Sequence, residues 1–172
     1  QVNFLYNNNG NGTFTKITSG EIVNDVANSG GCCWGDYDND NYIDLFVANA
    51  TNDCLYNNNG DGTFTKITDD PVVNESDQST GGSWGDYDND GDMDIIVSHI
   101  DLQATPVLLR NDGGNANHWL CLKLVGKDGP ASAIGARVMI RSGRMEQVYI
   151  NQWATSYLTN HDPRVHIGLG QN

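Results

Sequence analysis

Two stretches fifty residues apart place Asp at positions one, three, five and nine of a nine-residue run. They are Asp36-Tyr37-Asp38-Asn39-Asp40-Asn41-Tyr42-Ile43-Asp44 and Asp86-Tyr87-Asp88-Asn89-Asp90-Gly91-Asp92-Met93-Asp94. That spacing suits a hard cation. Ca²⁺ takes six to eight oxygen ligands at about 2.3–2.6 Å, and alternate residues of a tightly curled loop can aim several carboxylates at one point. Asp serves better than Glu here, because its one-methylene stem lets a loop wrap an ion without a large cavity. The sixth position must turn with positive φ, which Gly adopts freely and Asn better than most residues; Gly91 and Asn41 stand there.

By analogy with the EF-hand, the seventh residue, Tyr42 or Asp92, is expected to lend its backbone carbonyl while its side chain points away. The ninth Asp replaces the EF-hand's Glu at position twelve. The run leading out of each loop, Asp44-Leu45-Phe46-Val47 or Asp94-Ile95-Ile96-Val97, reads as a buried strand, whereas an EF-hand leads into a helix. An Asp-rich run can be no more than a solvated turn, but two copies at identical offsets argue against that, since clustered carboxylates without a cation repel. Acid and base catalysis by paired carboxylates needs environments that push their pKa values apart. Two equivalent clusters offer no such asymmetry, so no catalytic residue is assigned and the chain is expected not to be an enzyme.

The repeat is larger than the loops. Residues 55–68, Leu-Tyr-Asn-Asn-Asn-Gly-Asp-Gly-Thr-Phe-Thr-Lys-Ile-Thr, copy residues 5–18 with the single change of Asn11 to Asp61, and residues 84–90 copy 34–40 without any. A weaker echo, Leu109-Arg110-Asn111-Asp112-Gly113-Gly114, stands where the next Leu-Tyr-Asn-Asn-Asn-Gly should start. A fixed period of this size means units that each cover an apolar face with a neighbour. Within one period the patterning predicts four short strands: Gly31 to Trp34, Asp44 to Ala48, Cys54 to Asn57, and Gly62 to Ile67 after an Asn-Gly-Asp-Gly turn. No stretch has helical periodicity. Four antiparallel strands per period make a propeller blade, so the fold class is all-β, a partial β-propeller followed by a small antiparallel β domain. Trp34 and Trp84, one before each loop, could stack a ligand but are expected to be inter-blade packing anchors.

The Gly-rich lead into Trp-Gly-Asp-Tyr-Asp-type loops, the apolar strand after each, and Leu-Tyr-Asn-Asn-Asn-Gly-Asp-Gly-Thr-Phe-Thr resemble the FG-GAP or VCBS repeat, the calcium-loop blade of integrin alpha-subunit propellers and of many secreted bacterial proteins. The resemblance implies two Ca²⁺ sites, one held by Asp36, Asp38, Asp40 and Asp44, the other by Asp86, Asp88, Asp90 and Asp94. The carbonyls of Tyr42 and Asp92 would complete them.

The last third is different material. Through residue 106 there are 18 acidic and 2 basic side chains, a net of −16; from 107 onward there are 4 acidic and 7 basic, a net of +3, in keeping with −13 for the chain. The shift predicts a boundary near 102–116, with repeats over 1–112 and a second domain over 113–172. Trp119 to Leu124 alternates like a strand, and Arg137 to Arg141 and Gln147 to Ile150 flank Ser142-Gly143 as a hairpin. Residues 117–170, with Asn117-His118-Trp119-Leu120, Ala133-Ile134-Gly135-Ala136-Arg137-Val138 and His166-Ile167-Gly168-Leu169-Gly170, resemble the ASPIC/UnbV domain that follows VCBS repeats in some proteins. Members of that family run on into a further strand and a Trp-Pro-Ser-Gly type motif, so this domain is expected to be truncated. A start at Gln1, in mid-repeat, likewise reads as a trimmed or mature piece.

Composition bounds the function. No apolar run approaches the ~18 residues of a membrane span, no stretch reads as a signal peptide, and a pI near 4.3 without a basic stripe disfavours nucleic acid. Cys32, Cys33, Cys54 and Cys121 show no C-x-x-C spacing, which makes zinc improbable; vicinal Cys32 and Cys33 point to opposite strand faces, and the cysteines read as small core residues. His161 and His166 lack a carboxylate cluster in sequence and read as satisfied loop or strand residues. Loops of this kind suit the millimolar calcium outside cells, so a secreted or periplasmic location is expected. The favoured function is a calcium-binding, non-catalytic extracellular adhesion or protein-interaction module. The alternative is a calcium-dependent carbohydrate-binding propeller or an accessory domain of a polysaccharide-acting enzyme. Bare blade faces around Trp34 and Trp84 are expected either to pair in a homodimer or to belong to a longer propeller, unless the C-terminal domain folds back over one of them.

Overall fold

The computed structural model describes residues 2–74, 78–101, 104–127, 129–143, 145–152 and 161–171. The chain opens with a hairpin of β1 (Leu5–Asn8) and β2 (Phe14–Ile17), followed by α1 (Glu21–Asn24), a single helical turn that the sequence pattern does not announce. Next come β3 (Ser29–Gly35), β4 (Asp44–Asn49), β5 (Cys54–Asn58) and β6 (Phe64–Ile67), which pair in that order as a four-stranded antiparallel meander. Each predicted strand of the period is present. The β5–β6 turn takes positive φ at Gly60 (74°) and Gly62 (89°), the backbone its Asn-Gly-Asp-Gly sequence predicts.

A second sheet holds β7 (Ser79–Gly85), β8 (Asp94–His99) and β9 (Val107–Leu109). It packs face to face on the first, with β3 and β7 closest. The core between them holds Cys33, Phe46, Ala48 and Leu55 from the first sheet and Trp84, Ile95 and Val97 from the second. Trp84 is the anchor the sequence predicts: 4 % exposed, edge-on to Phe46 at 6.4 Å and stacked on Tyr37 at 6.5 Å. It lies so close to Gly35 that a Cβ there would sit 2.7 Å from the indole. Trp34 differs. It is 42 % exposed, its ring 6.2 Å from that of Phe64, because its sheet face meets a two-stranded hairpin and α1 around Ile22, Leu45, Val47 and Tyr56 rather than a full blade. Identical local sequence thus gives a buried and an exposed Trp. The opposite outer face, on the second sheet, bares Ile96 and Leu108.

The remaining strands are β10 (His118–Leu122), the hairpin β11 (Arg137–Ser142) with β12 (Met145–Ile150), and β13 (Val165–Gly170), which pairs with β10. The described residues are thus almost entirely antiparallel β, in blade-like sheets that do not close into a ring. All four cysteines are free; Cys33 and Cys54 are buried as expected, whereas Cys32, on the outer side of β3, is exposed.

Candidate metal centres

Each acidic loop bridges the first two strands of its sheet, β3 to β4 and β7 to β8, and is curled by its own side chains. In the first, Asp38 accepts the backbone N–H of Asp40 at 3.1 Å, Asp40 that of Tyr42 at 2.8 Å, and Asp36 that of Asn41 at 3.1 Å. The second repeats the pattern, Asp88 accepting from Asp90 and Asp90 from Asp92. Position six has positive φ in both, 84° at Asn41 and 96° at Gly91. So does position four, Asn39 at 58° and Asn89 at 63°, which explains an Asn at that position in both copies.

Oxygens of Asp36, Asp38 and Asp40 lie within 4.8 Å of one another, as do oxygens of Asp86, Asp88 and Asp94. The ninth Asp has a second task. Asp44 accepts the N–H of Tyr37 at 3.0 Å and of Asn58 at 2.8 Å, tying the loop's start to the end of β5. Asp94 does the same with Tyr87 and Asn111, both at 2.9 Å. Asp90 is exposed, and Tyr42 spreads its ring over Gly60. The Asp92 side chain is fully buried and accepts the N–H of Gly114 at 3.1 Å.

These carboxyls are uneasy without a cation. Burial, with the charges of Asp40 and Asp38 adding, pushes Asp36 up to about 7. Burial pushes Asp44 up to about 8 and Asp92 up to about 6, and raises Asp40 and Asp94 as well. Asp36 Oδ1 and Asp86 Oδ1 are buried with no hydrogen-bond partner, in residues only 5 % and 3 % exposed. A buried carboxylate oxygen without a donor is costly, and a divalent cation is the group that satisfies several at once. An all-oxygen donor set fits Ca²⁺ rather than zinc or copper.

The two centres are not equal. The residue after β9 that corresponds to Asn58 is Asn111, since both give N–H to the ninth Asp and Nδ2–H to the carbonyl before it, Ile43 or Met93. The Leu109 echo is therefore placed one residue off by sequence alone: Leu109 pairs with Ile95 as Tyr56, not Leu55, pairs with Leu45. Arg110 then takes the place of Asn57. Where Asn57 Nδ2 donates to Asp38 Oδ2 at 2.9 Å, the Arg110 guanidinium lies 3.6 Å from Asp88 Oδ2 and also pairs with Asp112.

The fold and these loops define a blade-repeat protein of the acidic-loop type. The FG-GAP-like repeat model matches residues 1–47 and 36–97, more than half of the chain, and the ASPIC and UnbV model matches residues 126–172. The chain belongs to the FG-GAP-like repeat family and carries an ASPIC and UnbV domain at its C-terminal end. That pairing is of the extracellular, protein-interaction type. No curated protein matches it. No helix among the described residues is long and apolar enough to cross a membrane.

Proposed function

We propose that this protein is a secreted, non-catalytic interaction module whose two acidic loops each hold a Ca²⁺ ion. The observation that carries the reading is the pair of carboxylate trios, each containing a buried oxygen without a donor. Asp36, Asp38, Asp40 and Asp44 would hold the first ion and Asp86, Asp88, Asp90 and Asp94 the second, with the carbonyls of Tyr42 and Asp92. The ion supplies charge neutralisation and a fixed geometry. The chain's part is to shape the curl through Asx-type bonds and left-handed Asn and Gly residues, and the ion holds it against the mutual repulsion of the carboxylates. That the same loop geometry recurs in both sheets, with the ninth Asp bonded to the backbone of the returning strand each time, supports a structural rather than catalytic role. Calorimetry should give two Ca²⁺ per chain and no Zn²⁺ at those sites, with the second site weaker because Arg110 already neutralises Asp88. Arg110→Asn should bring the two affinities together; a stoichiometry of zero ends the calcium reading, and two identical sites end the role of Arg110.

For the partner, the exposed apolar patches at Trp34 and at Ile96 with Leu108 support a protein, and a second copy is the occupant we favour. Inside the molecule the Trp84-bearing face of one sheet covers the Phe46-bearing face of the other. Two exposed patches remain, Trp34 at the uncovered end of the face that the hairpin and α1 otherwise bury, and Ile96 with Leu108 on the outer face of the second sheet; they belong to the same two kinds of face, so copies fit head to tail rather than through a symmetric Trp34 and Trp84 surface. Light scattering should show species heavier than 18.7 kDa that Trp34→Ser reduces; a monomer at all concentrations rules this out. A glycan ligand is the second reading, favoured by exposed Trp34 on the same cleft as Asp36 and Tyr149. A glycan array with and without chelator separates the two.

A further inference from the structure

The acidic loops have an outer rim as well as an inner one. Inward they collect carboxylates; outward they present backbone carbonyls, and the C-terminal strands cover these. Asn117 Nδ2 donates to Asp38 O at 2.9 Å, Gly170 N to Asn39 O at 3.0 Å, and Gln147 Nε2 to Asn41 O at 2.5 Å. On the second loop, the Arg164 guanidinium donates to Asp86 O and to Asn89 Oδ1, both at 2.5 Å. Asn39 joins everything: its Nδ2 donates to Gly91 O at 2.9 Å and Gly114 O at 3.1 Å, while its Oδ1 lies 2.7 Å from His166 Nε2. Packing runs along the same seam. Trp119, stacked on His166 at 5.7 Å, lies against Gly91, and β13 passes so close to the first loop that a Cβ on Gly168 would be 2.0 Å from Asp36 Oδ2.

We propose that the outer rims of the two loops are the docking surface of the C-terminal β domain, so that Ca²⁺ binding and domain docking are one coupled equilibrium. The inference rests on the calcium reading above. Its physical basis is that the carbonyls of residues 38, 39 and 41 point outward together only while Asn39 and Asn41 hold positive φ. An ion drawing Asp36, Asp38 and Asp40 inward holds that curl; without it, like charges at close range pull the loop open and scatter the acceptors. An opposing effect exists. Neutralising the loops weakens the attraction between a repeat region of net −16 and a C-terminal part of net +3. That attraction is screened beyond about 8 Å at physiological salt. Hydrogen bonds to placed carbonyls have no such reach, and among the described residues of the seam Arg164 is the one permanently charged donor, so loop order prevails.

Coupling is reciprocal: if the ion favours docking, loosening the seam must weaken the ion. The test uses the full chain and the double variant Asn117→Ala with Gln147→Ala, which touches main-chain carbonyls and no carboxylate. Calorimetry with CaCl₂ should show the first site weakened about fivefold or more, within the 5–150-fold range typical of coupled sites. Hydrogen exchange on the unmodified protein should show the Gly170 amide and its β13 neighbours protected by Ca²⁺ and exposed by its removal. Unchanged Ca²⁺ constants in the double variant, or β13 exchange indifferent to the ion, would overturn the coupling while leaving the metal sites intact. No Ca²⁺ binding by the unmodified protein would overturn both readings together.

Discussion

Removing calcium at pH 8 is expected to lower the melting temperature by about 5–10 °C per site. At an ion concentration 100 times Kd, each site adds about 2.7 kcal/mol to the folded state, and a chain of this size shifts by about 2–4 °C per kcal/mol. Asp88→Ala should abolish roughly half of the calcium-dependent increment, since it disables one loop of two. The effect must also depend on pH in a definite direction. In the cation-free fold Asp36 and Asp44 sit at about 7 and about 8, raised above the ordinary Asp value by burial and by their neighbours' charges. A raised carboxyl contributes stability that is complete below the unfolded value of about 3.9 and is lost as pH climbs through the folded one. The metal-free protein should therefore melt higher at pH 5.5 than at pH 8. Calcium needs the deprotonated carboxylates, so the gap between loaded and metal-free protein should be widest near pH 8 and close toward pH 5. Coincident melting curves at pH 8, or a gap that widens on acidification, would sink the structural role of the ion.

The second large effect is expected at one glycine. Gly91 holds φ of 96°, and a Cβ there would lie 2.0 Å from the Trp119 ring. Gly91→Ala therefore meets two penalties: about 1–2 kcal/mol for a left-handed non-Gly residue, and about 1–3 kcal/mol for forcing Trp119 out of its place against the loop. A loss near 3 kcal/mol by denaturant unfolding is expected. Asn41 separates the two causes. It holds φ of 84° at the same loop position, so Asn41→Gly relaxes the backbone and should be neutral or mildly stabilising. A change below about 0.5 kcal/mol for Gly91→Ala, the range of ordinary surface substitutions, would mean that Trp119 does not press on the second loop.

The spacing of Asp residues, the left-handed sixth position, the Asn-Gly-Asp-Gly turns and the four-strand period were legible because each is a local instruction. A turn needs its own residues to adopt positive φ, and a strand shows its alternation within six positions; neither waits for a distant partner. The FG-GAP and ASPIC/UnbV resemblance rests on those same local patterns. The inequalities were not legible. Trp34 and Trp84 share an identical heptad, yet one is exposed and the other buried, because burial belongs to the sheet on the far side and not to the Trp. Asp44 and Asp94 read as ligands, and only the return of β5 and β9 gives them the N–H groups of Asn58 and Asn111. Arg110 reaches Asp88 because Leu109 pairs with Ile95 in the place of Tyr56 rather than of Leu55, one residue from where the sequence echo sets it, which pairing alone determines. The meeting of residues 117, 147, 164 and 170 with loops at 36–44 and 86–94 spans up to 131 positions. Contacts so far apart in sequence depend on how whole sheets pack, since no local pattern encodes which backbone carbonyl a distant side chain will meet.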